Sequence, residues 1–263
     1  NPTNIYLATS SHISFADYLK VMAVPTLVAG IVELGLLLLL FRKSLKQPLQ
    51  SNDLVYPLEE RLPVIVGVSI LGICLVFFVL SSYFPMEMWL IALISAASLL
   101  AFMVVYSLTN KKEWSHVQFT LKRLPYPLIP FFLSMFVLVV ALNVQGISAQ
   151  LSSFLGNNHV VWVYGYSSFL ASNLINNIPM SILFTNLTSN LTGSAYCQGV
   201  YASIIGSNIG AFLTPIGALA GILFSGLVND NNVRFTFIDF IKYGALVSVP
   251  VLSVFLALVP LFI

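Results

Sequence analysis

The chain has 263 residues, 58% of them hydrophobic and only 8% Asp, Glu, Lys or Arg, with a formal net charge of +2 and a mean hydropathy of +0.94. Soluble domains carry about 25% charged residues, so a water-soluble fold is excluded and an all-α integral membrane protein is expected. The basic stretches are too short to bind nucleic acid, and the two cysteines, Cys74 and Cys197, are too few for a disulfide framework and lack metal-ligand spacing.

The chain opens on Asn1-Pro2-Thr3-Asn4, with no initiator Met and no basic region of a signal peptide. Residues 21–41 are apolar apart from Glu33; at ~1.5 Å per residue they reach about 30 Å, enough to span a bilayer. Further spans are predicted at 62–84 and 86–108, turning near Pro85, and at 125–143. Residues 150–190 are more broken and polar, 196–228 form a long stretch with two Gly/Asn/Pro interruptions, and the last span is 238–262. Loop 42–61 holds Arg42, Lys43, Lys46 and Arg61, and loop 109–124 holds Lys111, Lys112, Lys122 and Arg123, whereas the turn at 81–87 has no basic residue. The positive-inside rule places both basic loops in the cytoplasm of a multi-pass cell-membrane protein.

Two stretches look alike. SFADYLK at 14–20 matches TFIDFIK at 236–242 in aromatic, acidic and basic positions. Each lies downstream of a polar-proline motif, NPTN at 1–4 and TPIG at 214–217, and each leads into an apolar span with an early proline, Pro25 and Pro250. A seven-residue match alone could be ordinary interfacial anchoring; the three features in one order point to duplication. The second copy has a long stretch before TPIG and the first has none before NPTN, so a missing N-terminal half of the same protein is expected upstream of Asn1. On this reading residues 1–41 are the end of a first repeat, 42–61 a cytoplasmic loop and 62–263 a second repeat. Inverted repeats, common in secondary transporters, would need the span at 238–262 to end outside, hence an odd number of crossings after residue 42. Treating 150–190 as a re-entrant hairpin that enters and leaves on the outer side keeps the count odd, leaves Arg234 and Lys242 cytoplasmic and puts the C-terminus outside. One more crossing there would make the repeats parallel.

No charged residue occurs between Arg123 and Asp230, although Asn, Ser and Thr abound. The hairpin would turn near Ser172-Asn173-Leu174-Ile175-Asn176-Asn177-Ile178-Pro179. Non-helical backbone at membrane depth is tolerated only where protein or a wet cavity satisfies its polar groups, so this run poorly fits a lipid-facing helix. Gly206-Ser207-Asn208-Ile209-Gly210, followed by Thr214-Pro215-Ile216-Gly217, has the same character: Pro215 removes a helix hydrogen bond and the glycines permit unwound backbone. Such discontinuous helices present half-helix ends that favour anions or cations. The plainer reading is that these side chains glue helices together and that Pro and Gly merely kink them. Two clustered interruptions and NPTN together favour a substrate site.

At these residues the chain resembles the arsenical pump membrane protein family, within an ion transporter superfamily that includes dicarboxylate and sodium/proton carriers. NNIP at 176–179 is similar to its Asn-Asn-hydrophobic-Pro hairpin motif. YASIIGSNIGAFLTPIGALAGILF at 201–224 resembles its broken helix, and NPTNI at 1–5 with FADYLKVMAVP looks like the corresponding segment of the first repeat. The resemblance implies an inverted-repeat secondary transporter with re-entrant hairpins and broken helices meeting at the midplane. It places Ser172 and Asn173 at the outer hairpin tip, with Asn176, Asn177 and Pro179 just after it. Ser207, Asn208, Thr214, Pro215 and Gly217 would line one unwound region, and Asn1, Pro2, Thr3 and Asn4 the other.

The uncharged stretch suits a neutral polyhydroxyl solute, which makes arsenite or antimonite efflux coupled to protons the first functional expectation. The alternative is a sodium/proton antiporter or a sodium-coupled anion carrier of dicarboxylate or citrate type, since hairpin carbonyls and amides hold ions without a fixed charge. Proton exchange commonly uses an intramembrane carboxylate, and Glu33 is the candidate here; its plain reading is a carboxyl kept neutral or paired on its own helix. No cofactor is expected beyond a proton or sodium as coupling ion. The expected partners are the lipid bilayer, a small inorganic solute, the missing half and a second copy in a homodimer. No His, Asp or Glu cluster lies within a span, so an enzyme is not expected: His12, His116 and His159 fall in loops or at span ends.

Overall fold

The computed structural model describes residues 1–47, 61–81, 83–84, 86–109, 118, 122, 126–230 and 235–263. Most of loops 42–61 and 109–124, the turn at Pro85, His116 and Arg234 lie outside the described residues. Regular structure among the described residues is helical, and the chain divides into two compact units, residues 48–129 and residues 1–47 with 130–263.

In the first of these units, α3 (Arg61–Leu80) and α4 (Met88–Thr109) pack on each other. They are 20 and 22 residues long, and most of their side chains face outward. Aliphatic residues such as Val68 and Leu71 lie open on these surfaces, which suits hydrocarbon as solvent. Cys74 is buried, the behaviour of a small apolar residue.

The second unit holds α1 (Pro2–Ser10), α2 (Phe15–Leu40) and the helices from residue 128 onward. α2 begins six residues before the span predicted from apolarity, because Ser14 caps it: its Oγ accepts from the Asp17 amide at 3.1 Å. At 26 residues it is ~39 Å long. α11 (Phe237–Leu258) starts with the same device, a capping box in which Thr236 and Asp239 bond reciprocally. The two helices pack side by side and run antiparallel. Phe41, just past the end of α2, lies with its ring 5.3 Å from that of Tyr243 near the start of α11. The 3-10 turn after α11, residues 259–261, packs on α2 as well.

α5 (Leu128–Val144) ends at Gly146, whose φ of 75° only glycine adopts readily. There the chain bends by 77° into α6 (Ile147–Leu155). α6 buries Ser148 and Ser152 and leaves Leu151 and Phe154 exposed. Among the described residues four helices, α2, α3, α4 and α11, are long and apolar enough to cross a membrane, and α5 with α6 makes a fifth if the bent pair is one span.

The stretch expected as one hairpin is α6 followed by a shorter pair, α7 (Val160–Ile175) and α8 (Asn177–Thr188). At ~24 Å and ~18 Å neither leg reaches across a ~30 Å hydrocarbon core. α9 (Ser194–Gly210) follows, then a break through a 3-10 turn at Pro215–Gly217, then α10 (Leu219–Asp230). Val160, Thr188 and Gly199 meet at one end of this group: a Cβ on Gly199 would lie 3.3 Å from Thr188 and 3.4 Å from Val160. At the other end the α7–α8 tip meets the α9 break. α7 and α9 therefore run parallel and α8 returns between the same levels, so both ends of the α7–α8 hairpin lie at the same end of this group.

Small residues allow the parallel pair to touch. Gly165, Ser168 and Ser172 on α7 face Gly206 and Gly210 on α9, and a Cβ on Gly206 would collide with Ser168 and the Gly165 carbonyl. Gly206→Val is expected to destabilise the protein by at least ~1–3 kcal/mol through overpacking. Gly226→Ala on α10, where nothing lies within 4 Å, should be neutral or stabilising by up to ~1 kcal/mol. Thermal unfolding of both variants in detergent checks the contrast; equal melting temperatures would count against this packing.

Candidate solute site at the hairpin tip and the broken helix

The reversal between α7 and α8 is made by one residue, Asn176, with φ 69° and ψ 155°. That conformation is neither extended nor left-handed helical and is one glycine usually takes, so the surrounding structure holds Asn176 in a strained backbone. Its side chain also caps α8, accepting from the Ile178 amide, while its Nδ2 donates to the Ile216 carbonyl at 2.9 Å. Pro179 sits in the first turn of α8, where a missing N–H costs no helix bond.

Asn173 binds the tip to the break. Its Nδ2 donates to the carbonyls of Phe169 at 2.8 Å and Gly210 at 3.0 Å, and its Oδ1 accepts from Thr214 Oγ1 at 2.6 Å. Thr214 is extended, Pro215 opens the 3-10 turn, and Gly217 lies so close that a Cβ would stand 2.7 Å from the Gly210 carbonyl and 2.8 Å from Asn173 Oδ1. Ser172 is fully buried and donates to the Phe169 carbonyl within α7.

A second constellation forms where α1 meets α9. Asn1 caps α1, its Oδ1 accepting from the Thr3 amide at 3.2 Å, and its Nδ2 donates to Asn208 Oδ1 at 2.7 Å. Pro2 opens the helix. Asn4 Nδ2 donates to the Tyr18 hydroxyl at 3.0 Å, and the Tyr18 ring stacks on Tyr201 with centroids 6.3 Å apart. Tyr201 and Asn208 are seven residues apart, hence on one face of α9, so α1 runs down that face away from the break. Thr3 Oγ1, Asn4 Oδ1 and Ser207 Oγ are buried and have no hydrogen-bond partner.

Two expectations are corrected in detail. Ser172 and Asn173 are in the last turn of α7, not at the tip, because the chain reverses only at Asn176. Residues 2–4 are the first turn of a helix rather than unwound backbone, because Asn1 supplies a cap and Pro2 stands where proline is pre-organised for a helix start. Asn173, Asn176 and Thr214 use their polar groups on the protein itself, whereas Asn177, a buried residue at the start of α8, makes no side-chain hydrogen bond among the described residues. Glu33 lies one turn beyond Ala29 on the buried side of α2 and has no ion-pair partner among the described residues. Sequence reasoning passed over Tyr18 and Tyr201; their aromatic character signalled anchoring, and only the fold brings Tyr18 to Asn4.

Chemically, the assembly offers hydroxyls, carboxamides and half-helix ends without a fixed charge on α5 to α9. The start of α8 presents N–H groups and the end of α9 presents carbonyls, which lets one small region favour lone pairs on one side and O–H groups or a cation on the other. Among the described residues no His, Cys, Asp and Glu side chains gather in a group that could hold a metal.

A short helix pair meeting a broken span inside an all-helical, apolar protein defines a membrane fold of the secondary-transporter class. The family model described as Citrate transporter matches residues 1–200, and the chain belongs to that family. It is also similar to an arsenical pump membrane protein of Escherichia coli, 28% identical over 269 residues, and to one of Yersinia enterocolitica, 26% identical over 269 residues. An uncharacterized transporter of Mycobacterium tuberculosis is 27% identical over 267 residues, or 94% of this chain and 59% of that protein. Each arsenical pump alignment covers 98% of this chain and 61% of the relative, so the chain spans about three-fifths of the length of these curated relatives. No solved structure matches it. The resemblance read from NNIP, the Gly-Ser-Asn break and NPTNI thus extends along nearly the whole chain.

Asn173→Ala leaves the Gly210 carbonyl and the Thr214 hydroxyl without these partners and is expected to cost about 1–3 kcal/mol. Asn177→Ala breaks no side-chain hydrogen bond among the described residues and should cost clearly less than Asn173→Ala. Melting temperatures in detergent separate the two; a larger loss at Asn177 would contradict this division between the two asparagines.

Proposed function

We propose that this chain forms the second repeat, and the end of the first, of a secondary transporter whose solute binds where the α7–α8 tip, the α9 break and the start of α1 converge. The observation that carries this reading is the group of buried, unpartnered oxygens on Thr3, Asn4 and Ser207 beside the Asn1–Asn208 contact. Buried polar atoms without partners are costly, and a polar solute entering there would satisfy them.

The solute we favour is neutral arsenous or antimonous acid, exported in exchange for protons. Three hydroxyls on an uncharged centre match a site of hydroxyls and carboxamides, and the relatives named as arsenical pump membrane proteins support the choice. Glu33 would serve as the acid that carries the proton. The basic loops 42–61 and 109–124 would face the cytoplasm with the C-terminus outside. A further half of the protein would complete the site from the other side, and a homodimer would be its assembly. The second reading, a sodium-coupled carrier of citrate type, draws on the family model and on the half-helix ends, which hold ions without fixed charge.

Everted membrane vesicles carrying the intact protein are expected to accumulate arsenite under a proton gradient and to lose uptake with a protonophore. Sodium-dependent citrate uptake with no arsenite uptake would select the second reading. Asn177→Ala should reduce transport at least about tenfold, the loss of a ~1.4 kcal/mol interaction, with membrane insertion unchanged. Glu33→Gln should abolish arsenite-dependent proton movement while arsenite exchange without net flux persists; continued proton movement would place the coupling acid elsewhere.

A further inference from the structure

Comparing the two sequence copies isolates one side chain. SFADYLK and TFIDFIK share their cap, their acid and their basic residue, but Tyr18 in the first stands where Phe240 stands in the second. Phe240 sits in a purely aromatic group, its ring 6.2 Å from both Phe224 and Phe235. Tyr18 also stacks, on Tyr201, but its hydroxyl has a further partner: it accepts from Asn4 Nδ2 at 3.0 Å. In the upstream motif Asn4 of NPTN corresponds to Gly217 of TPIG. The hydroxyl and the carboxamide it holds are therefore both present in the first copy and both lacking in the second.

The bond has a directional consequence. A carboxamide offers a donor end and an acceptor end. With Nδ2 committed to Tyr18, Oδ1 is the end left over, and it is buried without a partner, as are Thr3 Oγ1 on the same turn of α1 and Ser207 Oγ next to Asn208. Asn1 fixes this turn against α9 through Asn208.

We propose that Tyr18 is a positioning residue for the solute site: its hydroxyl holds the Asn4 carboxamide so that Oδ1 accepts a hydrogen bond from a hydroxyl of the bound solute. This rests on the reading of the site as one for a small polyhydroxyl solute, and it names the acceptor and what orients it. Phenylalanine at position 18 would keep the ring on Tyr201 and the packing of α2, as Phe240 does in its own surroundings, and would remove only the bond that holds Asn4.

The test uses the intact protein in everted vesicles, with initial rates of arsenite uptake against concentration and melting temperatures for the same preparations. Tyr18→Phe is expected to raise KM about five- to tenfold, the scale of one hydrogen bond, with the maximal rate within about twofold. Asn4→Ala should raise KM by as much or more, and the double variant should be no worse than Asn4→Ala alone, because the hydroxyl acts only through Asn4. A lowered melting temperature in Tyr18→Phe with unchanged KM, or KM effects that multiply in the double variant, would overturn the proposal. If the wild type moves no arsenite, the functional reading has failed, and the same variants are assayed on sodium-dependent citrate uptake. There a raised KM in Tyr18→Phe that does not add to that of Asn4→Ala upholds the positioning role, and an unchanged one removes it.

Discussion

A chain that leaves the helix inside a bilayer must find partners for the N–H and C=O groups it frees, because no water is there to take them. The rest of this fold follows from that constraint. α9 ends at Gly210 in a tightened turn, where the amides of residues 211–213 donate to the carbonyls of Asn208, Ile209 and Gly210, and the hairpin reverses at Asn176, whose carbonyl accepts from the Met180 amide. Each break answers the other: Asn173 takes the Gly210 carbonyl and Asn176 takes that of Ile216. Two interruptions at one level are thus less costly than either alone.

That mutual satisfaction requires close backbones. A carboxamide extends only a few bonds from its Cα, so α7 and α9 must nearly touch. Gly206 and Gly210 provide the room, with the serines of α7 opposite them donating back into their own helix at 2.9 Å. α11 approaches on the same terms, with Gly244 against the Phe212 carbonyl just past the break and the Tyr166 hydroxyl bonded to Ser253 at 2.6 Å. The hairpin and the break are therefore held on several sides, while Asn177 and Ser207 make no side-chain hydrogen bond among the described residues.

Much of this was legible in the amino-acid order. Apolar runs marked α2, α3, α4 and α11, and the clusters of Asn, Gly and Pro marked both interruptions, because such residues are out of place in a lipid-facing helix. Helix ends were less legible: α2 starts at Phe15 through the Ser14 cap, amid residues too polar to register as span. The 77° bend after α5 turns on the left-handed Gly146, which looks in sequence like any loop glycine. The roles of individual asparagines were not legible either. Asn173, Asn176 and Asn177 stand within five residues, yet the first two hold the break and the third makes no side-chain bond among the described residues, a difference set by where each falls relative to the reversal at Asn176.

The capping motifs carry the argument one step further. Two helices that begin with the same Ser/Thr-x-x-Asp cap and pack antiparallel are what a duplication produces when one copy is turned over in the membrane. The half-helices leading to them behave the same way: α1 starts beside the α9 break and runs away from it, and α10 starts from the break itself. On the proposed reading, turned-over copies would bring equivalent segments to one depth, where a solute would meet both. Identical copies would offer that solute a symmetric site. Here the equivalence fails where polar chemistry is concentrated, with Asn4 opposite Gly217 and Tyr18 opposite Phe240. At these two positions the first copy carries a carboxamide and a hydroxyl, and the second a close backbone and an aromatic ring. On the proposed reading, duplication would account for the architecture, and the departures from it for a site that distinguishes one face of a solute from the other.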